Sequence, residues 1–230
     1  MKTIGLIGGM SWESSIEYYR IINETVRERL GGLHSAKSVM YSVDFSEIEA
    51  LQHAGEWDAA TGLMVDAALH VQNGGADFVL ICTNTMHKMA PAVEAALAIP
   101  LLHIADATAV TIKSQNLHKI GLLGTKFTME EAFYKGRLED THGLDVLIPT
   151  RQDRDLVHAI IYHELCLGQI IPASKQAYVR IMQDLVARGA EGIILGCTEI
   201  SLLVGQADST VPVFDTTRIH AETAVDLALA

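Results

Sequence analysis

Short apolar runs along this chain alternate with longer segments in which apolar residues recur every three or four positions. The runs predict buried β-strands and the longer segments predict amphipathic helices. Strands are expected near residues 3–7, 38–43, 78–81, 101–103, 119–123, 145–148, 192–195 and 211–214, and helices near 11–30, 57–72, 85–96, 105–114, 128–140, 153–167, 172–188 and 216–229. This alternation is typical of parallel sheets covered by helices on both faces.

Three landmarks occur twice, in the same order. "KTIGLIGG" (2–9) matches "HKIGLLGT" (118–125), "GADFVLICT" (75–83) matches "GAEGIILGCT" (189–198), and "IPLLH" (99–103) matches "VPVFD" (211–215). The offsets are 116, 114 to 115, and 112 residues, so the differences fall in loops and not in whole elements. The pattern indicates an internal duplication.

The duplication predicts two pseudo-symmetric α/β domains. Residues 1–104 would form the first domain and 105–212 the second, with a C-terminal segment, 213–230, that packs back on the first. Each would be a three-layer α/β/α unit around a mostly four-stranded parallel sheet. Because ligands bind beyond the carboxyl ends of parallel strands, we expect the active site in the cleft between the domains.

Composition narrows the functional classes. The chain has 230 residues, 49% of them apolar, and a net charge of −11, which disfavours nucleic acid and anionic membranes as partners. There is no long apolar segment and no signal-peptide pattern, so a cytoplasmic protein is expected. The three cysteines, Cys82, Cys166 and Cys197, lack metal-ligand spacing, and no metal site is predicted.

Cys82 and Cys197 each follow a predicted strand, and each precedes a threonine. A thiol just before a helix start is well placed to become a thiolate, because the helix N-terminus favours negative charge. Alone, either cysteine would be interpreted as a small buried hydrophobe. As a duplicated pair, they suit a reaction in which one thiol removes a proton from a carbon and the other delivers a proton from the opposite face. A disulfide between the two cysteines, or a metal site that lacks further protein ligands, remains open as an alternative.

Such a reaction also needs donors for a substrate carboxylate. Thr83, Asn84 and Thr85 after the first cysteine, and Thr198 after the second, supply hydroxyls, an amide and backbone N–H groups. "GLIGGM" (5–10) allows close backbone approach, but it is not the G-x-G-x-x-G of dinucleotide sites. Cys166 is interpreted as core packing, and His87 as a supporting or solvated residue.

"VLICTNTMHK" (79–88) and "IILGCTEISLL" (193–203) resemble the two signature segments of the aspartate/glutamate racemase family, and "IGLIGGMSWESS" (4–15) and "GLLGT" (121–125) extend the resemblance over the chain. The resemblance implies a cofactor-independent, PLP-independent amino-acid racemase. It implies catalytic residues Cys82 and Cys197, and substrate contacts at Met10, Gln52, Thr83, Asn84, Thr85, Thr125, Thr198 and Glu199. The small-molecule partner would be an amino-acid substrate, and the resemblance leaves a homodimer open.

The sequence departs from the family where the substrate side chain should bind. Members devoted to aspartate are expected to hold its second carboxylate with cations, whereas here Gln52 stands after the second strand. Lys88 and Lys126 are the alternative cations. Glutamate and neutral polar amino acids therefore remain open as substrates. Two other classes also remain open: a relative acting as a maleate-type isomerase or malonate decarboxylase, and a non-catalytic small-molecule sensor.

Overall fold

A computed structural model describes all 230 residues. The chain forms two compact units, residues 1–104 with 220–230, and residues 105–219. The strands are β1 (Ile4–Gly8), β2 (Ser38–Ser42), β3 (Phe78–Ile81), β4 (Lys119–Gly124), β5 (Asp145–Leu147), β6 (Gly192–Gly196) and β7 (Val213–Asp215). No helix has the length and apolar character that crossing a lipid bilayer requires.

The α-helices are α1 (Trp12–Leu30), α2 (Phe45–Ala54), α3 (Trp57–Asn73), α4 (Ala90–Ala96), α5 (Ile104–Ser114), α6 (Lys126–Glu130), α7 (Arg151–His163), α8 (Pro172–Ala187) and α9 (Thr216–Leu229). Side chains define several helix starts. Ser11 accepts a hydrogen bond from the Ser14 amide at α1, and Asp44 accepts one from the Ser46 amide at α2. These side chains satisfy backbone donors that a helix leaves unpaired at its N-terminus.

The first unit contains a parallel sheet of strand order β2-β1-β3. Alternate residues of each strand point to opposite faces, so Leu80 joins a core cluster with α1 and α9 whereas Ile81 joins one with α3 and α4. Leu101 lies beside Val79 as an isolated bridge, where a fourth strand was predicted. This sheet thus has three strands with helices on both faces.

The second unit contains a parallel sheet of order β5-β4-β6-β7. Its central pairs match those of the first sheet: Ile120 pairs with Gly192 as Ile4 pairs with Phe78. The pairing of Ile193 with Val213 matches the single bridge between Val79 and Leu101. The predicted fold class, two α/β units with parallel sheets, is confirmed.

Several elements differ from the predictions. Helix α2 was not predicted, the expected helix over 128–140 is α6 followed by a π-helix (Ala132–Thr141), and the expected helix over 85–96 begins as a 3₁₀ helix (Thr85–Met89). The C-terminal helix over 213–230 was predicted to pack on the first unit; the structure has β7 at its start, which pairs with β6, and assigns residues 220–230 to the first unit.

Candidate active site

The carboxyl end of β1 forms one wall of the site in the first unit. β1 runs into Gly8, Gly9 and Met10, and Gly9 has a φ of +95°. A Cβ at Gly9 would lie 2.2 Å from the Val43 carbonyl oxygen, so only glycine fits. The Gly9 amide donates to Ser15 Oγ at 2.8 Å. These constraints place Met10, which is buried, at the carboxyl edge of the sheet.

The neighbouring strand β3 ends at the same edge, and three predicted site residues follow it. Thr83, Asn84 and Thr85 are 9%, 2% and 6% exposed. The Cys82 amide donates to the Ile7 carbonyl oxygen at 2.9 Å, which continues the sheet pairing one residue beyond β3. The structure therefore brings Met10 and the Thr83–Thr85 segment to one edge of the first sheet, as predicted from the strand ends.

Cys82 is also buried, but it lies on one face of the sheet and packs in the core. Its side chain is 1% exposed and belongs to the core cluster that contains Leu80, Tyr18 and Ala221, on the α1 and α9 face of the sheet. Burial raises the pKa of the Cys82 thiol well above its usual range. These surroundings are those of a packing residue and not of an activated thiol.

The second unit presents its own strand ends. β4 ends at Gly124, and Thr125 caps α6, with its Oγ1 accepting from the Thr128 amide at 3.3 Å. Beyond β6, Cys197 is partly exposed, whereas Thr198 and Glu199 are buried. Because β4 and β6 are adjacent parallel strands, these residues share one edge of the sheet.

Glu199 binds both residues that precede it. Its Oε2 accepts hydrogen bonds from Cys197 Sγ at 3.0 Å and from Thr198 Oγ1 at 2.7 Å. Burial, and then the negative charge of Glu199, raise the pKa of the Cys197 thiol well above its ordinary value. The expectation that a helix N-terminus lowers this pKa is wrong for this structure, because only a short 3₁₀ helix (Ile200–Leu202) follows and a carboxylate lies beside the sulfur.

The pairing registers of the two sheets identify which strand-end residues correspond. Ile7 pairs with Ile81 in the first sheet, and Leu123 pairs with Leu195 at the same place in the second. Counting two residues onward from Ile81 and Leu195 gives Thr83 and Cys197. Thr83, and not Cys82, thus occupies the position in the first unit that Cys197 occupies in the second.

Gln52, Lys88 and Lys126 are the residues that were predicted to bind the substrate side chain. Gln52 is 3% exposed on α2, and Ile48 of the same helix shares a core cluster with Met10. Lys88 Nζ lies 4.0 Å from the ring centroid of Trp57, and Lys126 forms an ion pair with Asp155. Both alternative cations therefore have partners within their own units.

Two buried polar residues that follow strands, Thr217 and His87, were not among the predicted substrate contacts. Thr217 follows β7, and its Oγ1 is buried with no hydrogen-bond partner. His87 is 1% exposed, with its Nδ1 2.7 Å from the Thr83 carbonyl oxygen. Both residues follow the carboxyl end of a strand, and this position in the sequence could have identified them as site candidates. Cys166, interpreted as core packing, is partly exposed in a 3₁₀ helix (Leu165–Leu167).

No group of three or more His, Cys, Asp or Glu side chains is arranged to hold a metal ion. The polar groups at the carboxyl edges of the two sheets include hydroxyls, amides, the Cys197 thiol and the Glu199 carboxylate. Such groups can bind a small zwitterion and move protons.

Comparison with known proteins finds a matching family model, the Asp/Glu/Hydantoin racemase family, over residues 7–224. A candidate Asp/Glu racemase from Yersinia pestis is 58% identical, with a TM-score of 0.94 and complete coverage of both chains. An aspartate racemase homologue from Pyrococcus horikoshii is 34% identical over both complete chains, with a TM-score of 0.86. The broad specificity amino-acid racemase RacX from Bacillus subtilis is 25% identical over 73% of this chain and 71% of its own.

Proposed function

Because the chain belongs to the Asp/Glu/hydantoin racemase family, we propose that it interconverts the L and D enantiomers of aspartate, glutamate or related polar amino acids. Membership confirms the resemblance deduced from the signature segments, and the relatives support racemase chemistry. The single observation that carries the proposal is the strand-end thiol of Cys197 beside Glu199, with Thr83 at the matching position of the other half.

The reaction needs a group on each face of the substrate α-carbon. In the proposal, Cys197 serves one face of the α-carbon. As a thiolate, Cys197 removes the α-proton, and the resulting thiol donates a hydrogen bond to Glu199. The raised pKa means that the thiol is protonated before substrate binds. The positive charge of the substrate ammonium favours the thiolate, and the proton of the thiol passes to solvent water as the substrate binds.

Sequence reasoning assigned the opposite face to Cys82, but its burial in the core and the strand register favour Thr83. A threonine hydroxyl ionises far less readily than a thiol, so Thr83 would act as a relay. It passes its hydrogen to the carbanion while it takes one from water, with no net charge left on the side chain. The hydroxide that remains in solvent is neutralised when Cys197 later releases the abstracted proton.

The carboxylate of the substrate gains negative charge as the α-proton leaves. The Asn84 side-chain amide, the Thr85 and Thr125 hydroxyls, and the backbone amides of Thr83 and Thr198 are proposed to donate hydrogen bonds to the substrate, with Met10 contributing backbone contacts. These donors stabilise the developing charge without an external electron sink. Activity without pyridoxal phosphate or metal is therefore part of the proposal. Gln52 is proposed to meet the side chain.

One observation favours a second candidate. With Cys82 in the core, one thiol remains at the strand ends, and a decarboxylation needs only one proton donor for the carbanion that it leaves. Decarboxylation of a malonate would use Cys197 to protonate the carbanion left by carbon dioxide. Measured release of carbon dioxide from malonates distinguishes this candidate from racemisation.

The test of the proposal is racemisation of an amino-acid panel by protein dialysed against chelator, compared with Cys197→Ser. We expect interconversion of enantiomers without cofactor and a loss of about two to four orders of magnitude in the variant. In deuterated water, early product should carry deuterium at the α-carbon while unreacted substrate stays largely protiated. Near-normal racemisation by Cys197→Ser, or activity only with added pyridoxal phosphate, would contradict the proposal.

A further inference from the structure

His87 forms hydrogen bonds through both ring nitrogens. Its Nδ1 lies 2.7 Å from the Thr83 carbonyl oxygen, and its Nε2 lies 3.2 Å from the Ile104 amide nitrogen. A carbonyl only accepts and an amide N–H only donates, so Nδ1 carries the hydrogen and Nε2 accepts. These contacts define one neutral tautomer of a ring that is 1% exposed.

A second buried histidine supports the segment that His87 binds. His220 Nε2 donates to the Leu102 carbonyl oxygen at 2.8 Å, and its Nδ1 accepts from the Tyr18 hydroxyl at 2.8 Å. The His103 ring packs against His87 with 4.4 Å between centroids. The segment from Leu102 to Ile104, in which Leu102 is half-buried and His103 and Ile104 are buried, thus provides a hydrogen-bonded anchor for the His87 ring.

The Thr83 main chain is held from several directions. The Cys82 amide is bound to Ile7, the Asn84 carbonyl oxygen accepts from the His87 amide at 3.1 Å, and the Thr83 carbonyl oxygen between them is bound by the His87 ring. Because the peptide unit is planar, fixing that carbonyl fixes the direction of the Asn84 amide N–H and restricts the ψ angle of Thr83.

We infer that His87 is a positioning residue that orients Thr83 and Asn84 for the reaction. This inference rests on the proposed function, in which the Thr83 strand end serves one face of the substrate. His87 acts through the Thr83 carbonyl and does not itself touch substrate. A displacement of about 1 Å at a reacting group can cost about 100-fold in rate, so an anchor of this kind is functionally significant.

Two near-isosteric variants each retain one of the two hydrogen bonds of the His87 ring. The asparagine side-chain nitrogen lies as many bonds from Cβ as histidine Nδ1, so His87→Asn retains donation to Thr83. The terminal oxygen of glutamine lies as many bonds from Cβ as Nε2, so His87→Gln retains acceptance from Ile104. We expect kcat of the Asn variant to stay within about threefold of wild type, and that of the Gln variant to fall about 10- to 100-fold.

The decisive readout compares the rate of α-proton exchange with the rate of racemisation in deuterated water, for the enantiomer whose α-proton faces Cys197. Loss of orientation at Thr83 should slow proton delivery on its face while Cys197 still exchanges the α-proton on the other. The ratio of exchange to racemisation should therefore rise in His87→Gln, as it should in Thr83→Ala, and stay at the wild-type value in His87→Asn. A loss of folded protein lowers both rates equally and leaves the ratio unchanged.

Equal kcat values in the Asn and Gln variants, or an unchanged ratio in the Gln variant, would overturn the inference. A wild-type protein that does not racemise any amino acid would instead refute the proposed function. If wild type racemises and Thr83→Ala changes the ratio but His87→Gln does not, the proposed function stands and the positioning role of His87 fails.

Discussion

The thiol of Cys197 donates a hydrogen bond to Glu199 across 3.0 Å, so the sulfur lies beside a buried carboxylate. Burial raises the pKa of this thiol most, and the negative charge of Glu199 and its hydrogen bond raise it further. Glu199 therefore adds to burial in keeping Cys197 protonated before a substrate arrives.

Replacement of Glu199 by Gln removes the charge but keeps the size of the side chain. We predict that the pKa of Cys197 falls in Glu199→Gln, so that iodoacetamide modifies Cys197 faster at neutral pH than in wild type. The measurement is the modification rate of the peptide containing Cys197, followed by mass spectrometry between pH 6 and 10. Thr198→Val, which removes the other donor to Glu199, is the matched control and should change the rate much less. A slower reaction in Glu199→Gln would contradict this account.

Cys82 and Thr83 are adjacent, and variants of the two test which side chain transfers the proton on the face opposite Cys197. Cys82→Ala should keep most of the racemase activity, at a stability cost on the order of 1–2 kcal/mol for the lost buried sulfur. Thr83→Ala should lower kcat by about two to four orders of magnitude. The reverse order of effects would restore Cys82 as the catalytic residue. Unfolding by urea and steady-state racemisation of the same preparations separate stability from activity.

Thr83→Cys would place a thiol where Cys197 has one in the other half. A thiol transfers protons more readily than a hydroxyl near neutral pH, so kcat/KM should rise. Since the equilibrium constant of racemisation is one, kcat/KM must change by the same factor in both directions. Polarimetry from each pure enantiomer measures the two values, and a fall in both would contradict the relay role of Thr83.

Gln52 is proposed to meet the substrate side chain with an amide, which accepts or donates hydrogen bonds without charge. Gln52→Arg should raise the preference for aspartate or glutamate over homoserine by about tenfold, because a guanidinium binds a carboxylate through paired, charge-assisted hydrogen bonds. Gln52→Glu is the matched control and should shift the preference the other way. An unchanged ratio of kcat/KM values in both variants would show that Gln52 does not contact the side chain.

The buried His220 should make the free energy of unfolding depend on pH. Burial lowers its pKa from 6.5 to about 4. The unfolded chain therefore takes up a proton at His220 below pH 6.5, while the folded protein takes it up only near pH 4. Stability is lost as pH falls through this window, by at most about 3 kcal/mol. Urea unfolding between pH 7.5 and 4 should show this slope, and His220→Gln should reduce it.

An exposed histidine provides the control for that measurement. His34→Gln should leave the pH dependence as in wild type, because the side chain of His34 is exposed in the folded chain. If His220→Gln retained the full wild-type slope, the lost stability would come from other groups, and the buried neutral state of His220 would not explain it.

The sequence predicted the alternation of strands and helices well, because buried strands and amphipathic helices leave different periods of apolar residues. It missed α2, which buries only Ile48 and Gln52 and therefore has a weak apolar pattern. It also predicted an α-helix where the structure has a π-helix from Ala132 to Thr141. The strand predicted near Leu101 reduces to one bridge, since only the contact with Val79 satisfies the pairing criterion.

The sequence by itself determined the duplication, the two sheet edges and the presence of Cys197, Thr198 and Glu199 at one of them. It left a one-residue ambiguity at the other edge, where an offset of 115 matches Cys82 to Cys197 and an offset of 114 matches Thr83 to Cys197. Only tertiary structure could decide between them, because register depends on hydrogen bonds to β1 and β4, which lie far away in sequence. A shift of one residue sends a strand side chain to the opposite face, and here it places Cys82 in the core.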